Sequence, residues 1–91
     1  MELRAILTVV GPDRVGIMAG VCTLLADLSI SIDEISQTIM GTMFTMIMRV
    51  HATEPTPAFD EIQSRLAAKG EEMGLSIRIQ REAIFNAMHT I

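Results

Sequence analysis

Val9-Val10-Gly11-Pro12-Asp13-Arg14-Val15-Gly16-Ile17-Met18-Ala19 carries an apolar, β-branched run into a Gly-Pro turn signal and out again into a helix start. Upstream, Leu3 to Val10 is rich in aliphatic and β-branched residues, which predicts a strand ending at Gly11-Pro12. Downstream, Met18, Val21, Cys22, Leu25 and Leu28 recur at three- and four-residue steps and predict a helix over 15–28 with that stripe inward. Asp13 is a good N-cap for it, and Gly16 would let helix and sheet approach closely. A strand, a short loop and a helix in this order form the first half of a crossover unit.

The remaining chain repeats the theme. Ile30 and Ile32 share one strand parity while Ile35, Gln37 and Ile39 share the other, so a β-bulge is expected near Asp33-Glu34. Gly41-Thr42 then connects to Met43–Ala52, where Phe44, Met46, Met48 and Val50 alternate on one face, predicting a hairpin. Thr56-Pro57 signals a second helix start, and Phe59, Ile62, Leu66 and Met73 mark its stripe up to Gly74. Leu75, Ile77 and Ile79 alternate with polar residues as a last strand. In the tail, residues 83–91, the spacing of Ile84, Phe85, Met88 and Ile91 predicts a short amphipathic turn.

The order βαββαβ with right-handed crossovers implies an α+β two-layer sandwich with the two helices on one face of the sheet. Strand parity leaves Arg4, Ile6, Thr8, Val10, Met43, Thr45, Ile47, Arg49 and His51 on the opposite face. That mixture is too apolar to be merely solvated, and a second subunit, the tail or both are expected to cover it. The 91 residues of the chain fit one domain, 1–91.

Composition narrows the function. Hydrophobic residues make up 49% and charged residues 20% of the chain, a balance that supports a folded core. Eleven acidic against seven basic residues give a net charge of −4, which repels a nucleic-acid backbone. No apolar stretch reaches membrane-spanning length, and Glu2 stands where a signal peptide carries positive charge. Cys22 is the single cysteine, so an intrachain disulfide is impossible and a cytoplasmic setting is expected.

Several activities share this element order, and the chain lacks their chemistry. Copper carriage needs a cysteine pair in the first loop, and residues 11–16 contain none. Met40, Met43 and Met46 are better read as core fillers than thioether ligands, because three-residue steps on strands alternate faces. Acyl-phosphate hydrolysis would pair Arg14 with a strand asparagine, yet Asn86 in the tail is the one asparagine. RNA recognition wants aromatic residues on the open face, and Phe44, Phe59 and Phe85 fall elsewhere. His51 and His89 lack a sequence-local catalytic partner and read as exposed polar residues. Cys22 reads as a small buried hydrophobe, and Glu71, Glu72, Arg78 and Arg81 as solvated charge. No enzyme, no metal and no cofactor is expected.

The first loop admits two readings. Helix capping alone explains Asp13, while free amides at a helix N-terminus, with no side chain at Gly16, also suit a carboxylate. Arg14 would reinforce the carboxylate and Asp13 would hold an ammonium, making the loop complementary to a zwitterion. A helix terminus contributes only about 0.3–1 kcal/mol to an exposed anion, whereas micromolar binding requires about 8 kcal/mol. Such a ligand must therefore be enclosed, most simply against strand two of a neighbouring subunit.

Residues 9–19 as quoted resemble the first strand-loop-helix signature of ACT domains. Asp33-Glu34-Ile35-Ser36-Gln37-Thr38-Ile39, Phe44-Thr45-Met46-Ile47-Met48 and Gln80-Arg81-Glu82-Ala83-Ile84-Phe85-Asn86-Ala87-Met88-His89 are similar to the short, stand-alone ACT proteins designated UPF0237. The resemblance covers nearly the whole chain and extends to the ACT pair of the glycine-cleavage regulator. It implies an α+β, ferredoxin-like βαββαβ sandwich with an antiparallel four-stranded sheet and two helices on one face, a homodimer, and a non-catalytic regulatory module for an amino-acid-like small molecule. Carried onto this sequence, the ligand positions are Asp13, Arg14, Val15, Gly16 and Ile17, with Ser36 and Gln37 on strand two. Ser31 departs from the asparagine that many ACT sequences carry on entering that strand. The rival function is a ligand-independent dimerisation and protein-docking domain. With no catalytic or DNA-binding segment attached, the output either passes through a protein partner or is left unassigned.

Overall fold

Alternation of β-branched and aliphatic residues builds four strands, and two amphipathic helices cover one side of them. The computed structural model describes residues 3–12, 15–52 and 58–83. Its elements are β1 (Leu3–Pro12), α1 (Ile17–Asp27), β2 (Ser31–Met40), β3 (Met43–Ala52), α2 (Phe59–Met73) and β4 (Ser76–Arg81). The sheet order is β2-β3-β1-β4 and every neighbouring pair is antiparallel. This is the ferredoxin-like βαββαβ arrangement expected from the pattern and the resemblance.

The core lies between the sheet and the helices. Ala5, Leu7 and Val9 of β1 meet Phe44, Met46, Met48 and Val50 of β3 and Ile77 and Ile79 of β4. Above them sit Ile17, Val21 and Leu25 of α1 and Ile62 and Leu66 of α2. Gly70 is buried in α2 because a Cβ there would stand 2.7 Å from the Leu75 carbonyl oxygen, so the helix packs backbone to backbone where it turns into β4. Asp60 and Glu61 in the first turn of α2 complement the positive end of its dipole. The expected Thr56-Pro57 start lies outside the described residues.

The bulge on β2 falls where the parity change placed it: the register with β3 shifts between Ile32 and Glu34. Before it, Ile32 faces Val50 on the helix side. After it, Ile35, Gln37 and Ile39 face Met48, Met46 and Phe44 on that same side, and Ser36, Thr38 and Met40 turn to the other.

Four expectations are corrected. β1 continues through Gly11 and Pro12, because β3 is long enough to pair with both, at Phe44 and Met43. α1 starts at Ile17 with Gly16 as its N-cap and no side-chain cap bond, so the capping position assigned to Asp13 belongs to Gly16. Gly16 holds φ +92°, a left-handed conformation that favours glycine, and a Cβ there would meet nothing within 4 Å; its role is conformational and not one of close packing. The buried phase of α1 runs through Ile17, while Met18 is exposed.

The methionines divide as well. Met46 is buried, whereas Met40 and Met43 face each other at the exposed end of the β2–β3 hairpin. A thioether trio is thereby split across the sheet, and only one of its members fills the core. Arg81, read as solvated charge, stacks its guanidinium 4.5 Å from the centre of the Phe59 ring.

Candidate functional site

The loop after β1 opens onto α1. The first helical hydrogen bond runs from the Gly20 amide to the Gly16 carbonyl at 2.9 Å, so the amides of Ile17, Met18 and Ala19 have no acceptor within the helix. Val15 is fully exposed, and apart from its chain neighbours no described residue lies within 4 Å of where a Cβ on Gly16 would stand. Ile17 is 2% exposed, so its side chain belongs to the core and only its amide faces the loop. Asp13 and Arg14 lie outside the described residues.

Ser36 and Gln37 occupy opposite sides of the edge strand. Gln37 lies opposite Met46 and shares the side of α1; Ser36 lies opposite Ile47 and faces away from the helices. β3 stands between β2 and β1, placing β2 about 10 Å from the strand that leads into the loop. Within one chain the loop and β2 therefore do not converge on one small ligand.

β2 is nevertheless the least covered element. Nine of its ten residues are exposed and none is buried, including Ile35, Ile39 and Met40 at 41%, 54% and 73%. It forms one edge of the sheet, so its outer amides and carbonyls have no strand beside them among the described residues.

A charged cluster that sequence reading missed lies on the side of the sheet away from the helices. His51 Nδ1 and Asp33 Oδ1 are 2.8 Å apart, and Arg49 Nη1 bonds Glu34 Oε1 at 3.0 Å. Arg49 Nε also lies 3.9 Å from Glu82 Oε1. With Arg4 these side chains, Glu82 apart, line a shallow cleft of about 430 Å³. The bulge explains the pairing, since the extra residue brings Asp33 and Glu34 alongside a histidine and an arginine that are remote in sequence. The parity break was the available signal.

Chemically the cluster holds an Arg49–Glu34 ion pair and a His51–Asp33 hydrogen bond. Asp33 orients His51 as an acid orients a general base, yet Ser31, opposite His51 in the register, makes no hydrogen bond to it, so the set has no activated nucleophile. No group of three or more His, Cys, Asp or Glu among the described residues is placed to hold a metal ion. No helix among them is long and apolar enough to cross a membrane.

Known proteins agree with this geometry. A model of the ACT domain family matches residues 4–80. A UPF0237 protein of Listeria monocytogenes is 53% identical over 89 residues, which is 98% of this chain and 100% of that relative. The solved ACT domain protein from Streptococcus pneumoniae superposes with a TM-score of 0.81 at 37% identity, covering 98% of this chain and 97% of that one. A putative glycine cleavage system transcriptional repressor shares the fold alone, with a TM-score of 0.78 at 23% identity over 89% of this chain and 46% of that one. The match to the family model over residues 4–80 and the full-length likeness to the Listeria relative place the chain in the ACT-domain family of regulatory small-ligand-binding modules, among its short UPF0237 members.

Proposed function

We propose that this chain is a non-catalytic sensor that works as a homodimer in the cytoplasm, as one ACT domain over residues 1–91. Its ligand is an amino acid or a similar small zwitterion, held where the first loop of one subunit meets β2 of its partner. The observation that carries this reading is the exposure of β2: a ten-residue edge strand with Ile35, Ile39 and Met40 bare is a surface made to be covered.

The parts divide by chemistry. The amides of Ile17, Met18 and Ala19, reached past Val15 and Gly16, take the carboxylate. Arg14 adds charge to that end and Asp13 receives the ammonium. Gln37 of the partner subunit supplies an amide on the same side as α1, flanked by Ile35 and Ile39. Ser36, turned to the other side, drops out of the proposed ligand set. Enclosure by the partner makes up for the weak attraction of a lone helix terminus.

A thermal-shift screen of the twenty amino acids against the full chain tests the reading. A ligand that binds the native dimer raises the apparent melting temperature according to its concentration over Kd. A shift with one or a few amino acids, lost in Arg14→Ala, is the expected result. No shift with any of them, from a chain that is still dimeric, favours the ligand-independent docking domain, for which the bare edge strand is sufficient.

A further inference from the structure

The two-residue turn between β2 and β3 fixes a pair of bare thioethers. Gly41 holds φ +63° as the first residue of that turn, so the strands meet directly at Met40 and Met43. The two residues lie opposite each other in register, about 5 Å apart at Cβ, on the side of the sheet away from the helices. Met40 is 73% exposed and Met43 47%, whereas Met46 and Met48 on β3 are completely buried. Methionines at 40, 43, 46 and 48 therefore divide into an outer pair and an inner pair. Packing accounts for the inner pair, since a flexible thioether fills irregular gaps in a core. It does not account for the outer pair, about half or more of whose surface stays in water.

We propose that Met40 and Met43 form a reversible oxidation site whose co-reactant is hydrogen peroxide. Each thioether sulfur gives up two electrons and gains one oxygen atom, while the peroxide O–O bond breaks and water leaves. Two thiols reverse the step: they supply two electrons, form a disulfide and release the oxygen as water. The sulfoxide is polar, so the end of the hairpin changes from apolar to hydrogen-bonding. Both side chains already stand in water, and the change leaves the core untouched. Oxidising Met46 or Met48 would instead require the core to open first. Met43 also pairs with Pro12, so the site stands at the end of the sheet from which the first loop leaves. It faces away from Gln37 and α1, and it rests neither on a bound amino acid nor on the contacts proposed for one.

Timed exposure of the full chain to hydrogen peroxide, followed by peptide mapping by mass spectrometry, tests it. One oxygen at each of Met40 and Met43 is expected several-fold sooner than at Met46 or Met48, with the urea midpoint of the chain unchanged. Methionine sulfoxide reductases with a dithiol should then return both residues to thioethers in the folded chain. Similar rates at all four methionines overturn the proposal, whatever covers the outer pair. Loss of the fold when the outer pair alone is oxidised overturns it too, as does failure of the reductases to restore the pair. The variant carrying Met40→Leu and Met43→Leu should keep the fold and lose the rapid gain of oxygen in the peptide that spans β2 and β3. A rapid gain that persists there contradicts the assignment.

Discussion

β1 and β2 are both ten-residue strands rich in aliphatic and β-branched residues, and they meet opposite fates. β1 lies between β3 and β4, and Ala5, Leu7 and Val9 are fully buried. β2 lies at the edge, where none of its residues is buried. Intrinsic strand preference is therefore similar while the free energy gained on folding is not, because the hydrophobic term follows area removed from water. β1 holds the fold, and β2 remains exposed.

The largest effect that sharpens this contrast lies on β1. Leu7→Ala removes a fully buried side chain from the centre of the core and should cost about 2–5 kcal/mol in urea unfolding. A loss below about 1 kcal/mol would show that the core can collapse around the gap and that β1 is not its centre. Next comes Gly70→Ala, which forces a methyl group against the Leu75 carbonyl where α2 meets β4. A loss of about 1–3 kcal/mol is expected, with the same measurement as the check. Wild-type stability would show that helix and strand can move apart without penalty.

Smaller effects belong to β2. Arg49 and Glu34 are half or more exposed, so Glu34→Gln should cost at most about 1 kcal/mol in the same assay. A larger loss would mean that this pair, and not the side-chain pattern, holds the bulge in register.

The two strands also differ in how much the sequence reveals. The burial of β1 is legible in its alternation alone, since Leu7 and Val9 recur at the strand period next to the matching run on β3. The bulge on β2 is equally legible, because Ile32 and Ile35 cannot share a side without an extra residue between them. What that bulge accomplishes is not: bringing Asp33 to His51 and Glu34 to Arg49 requires the strand register, a tertiary fact. Gly70 is silent for a similar reason, because its need for a bare Cα comes from the approach of Leu75.

The first loop is misread in an instructive way. Asp13 has the chemistry of a cap, but the helix begins four residues later at Ile17, and Gly16 supplies the left-handed residue that starts it. A Gly16→Val substitution therefore strains the backbone whether or not a ligand is bound. Arg14→Ala is the better probe of binding, since it keeps the glycine at position 16. The exposed edge itself has no one-residue signature, as Ile35 and Ile39 look like core residues until the helices are seen to stop short of them.

The most direct test is the mass of the chain in solution with and without Ile39→Lys, measured by light scattering at one concentration alongside a thermal melt. Ile39 is 54% exposed at the free edge, so the substitution should change stability by no more than about 0.5 kcal/mol while placing a charge on the apolar strand that a second copy is proposed to cover. The account predicts a dimer for the wild type and a monomer of nearly unchanged subunit stability for the variant. A variant that remains dimeric would contradict it, and so would a wild type that is monomeric at micromolar concentration.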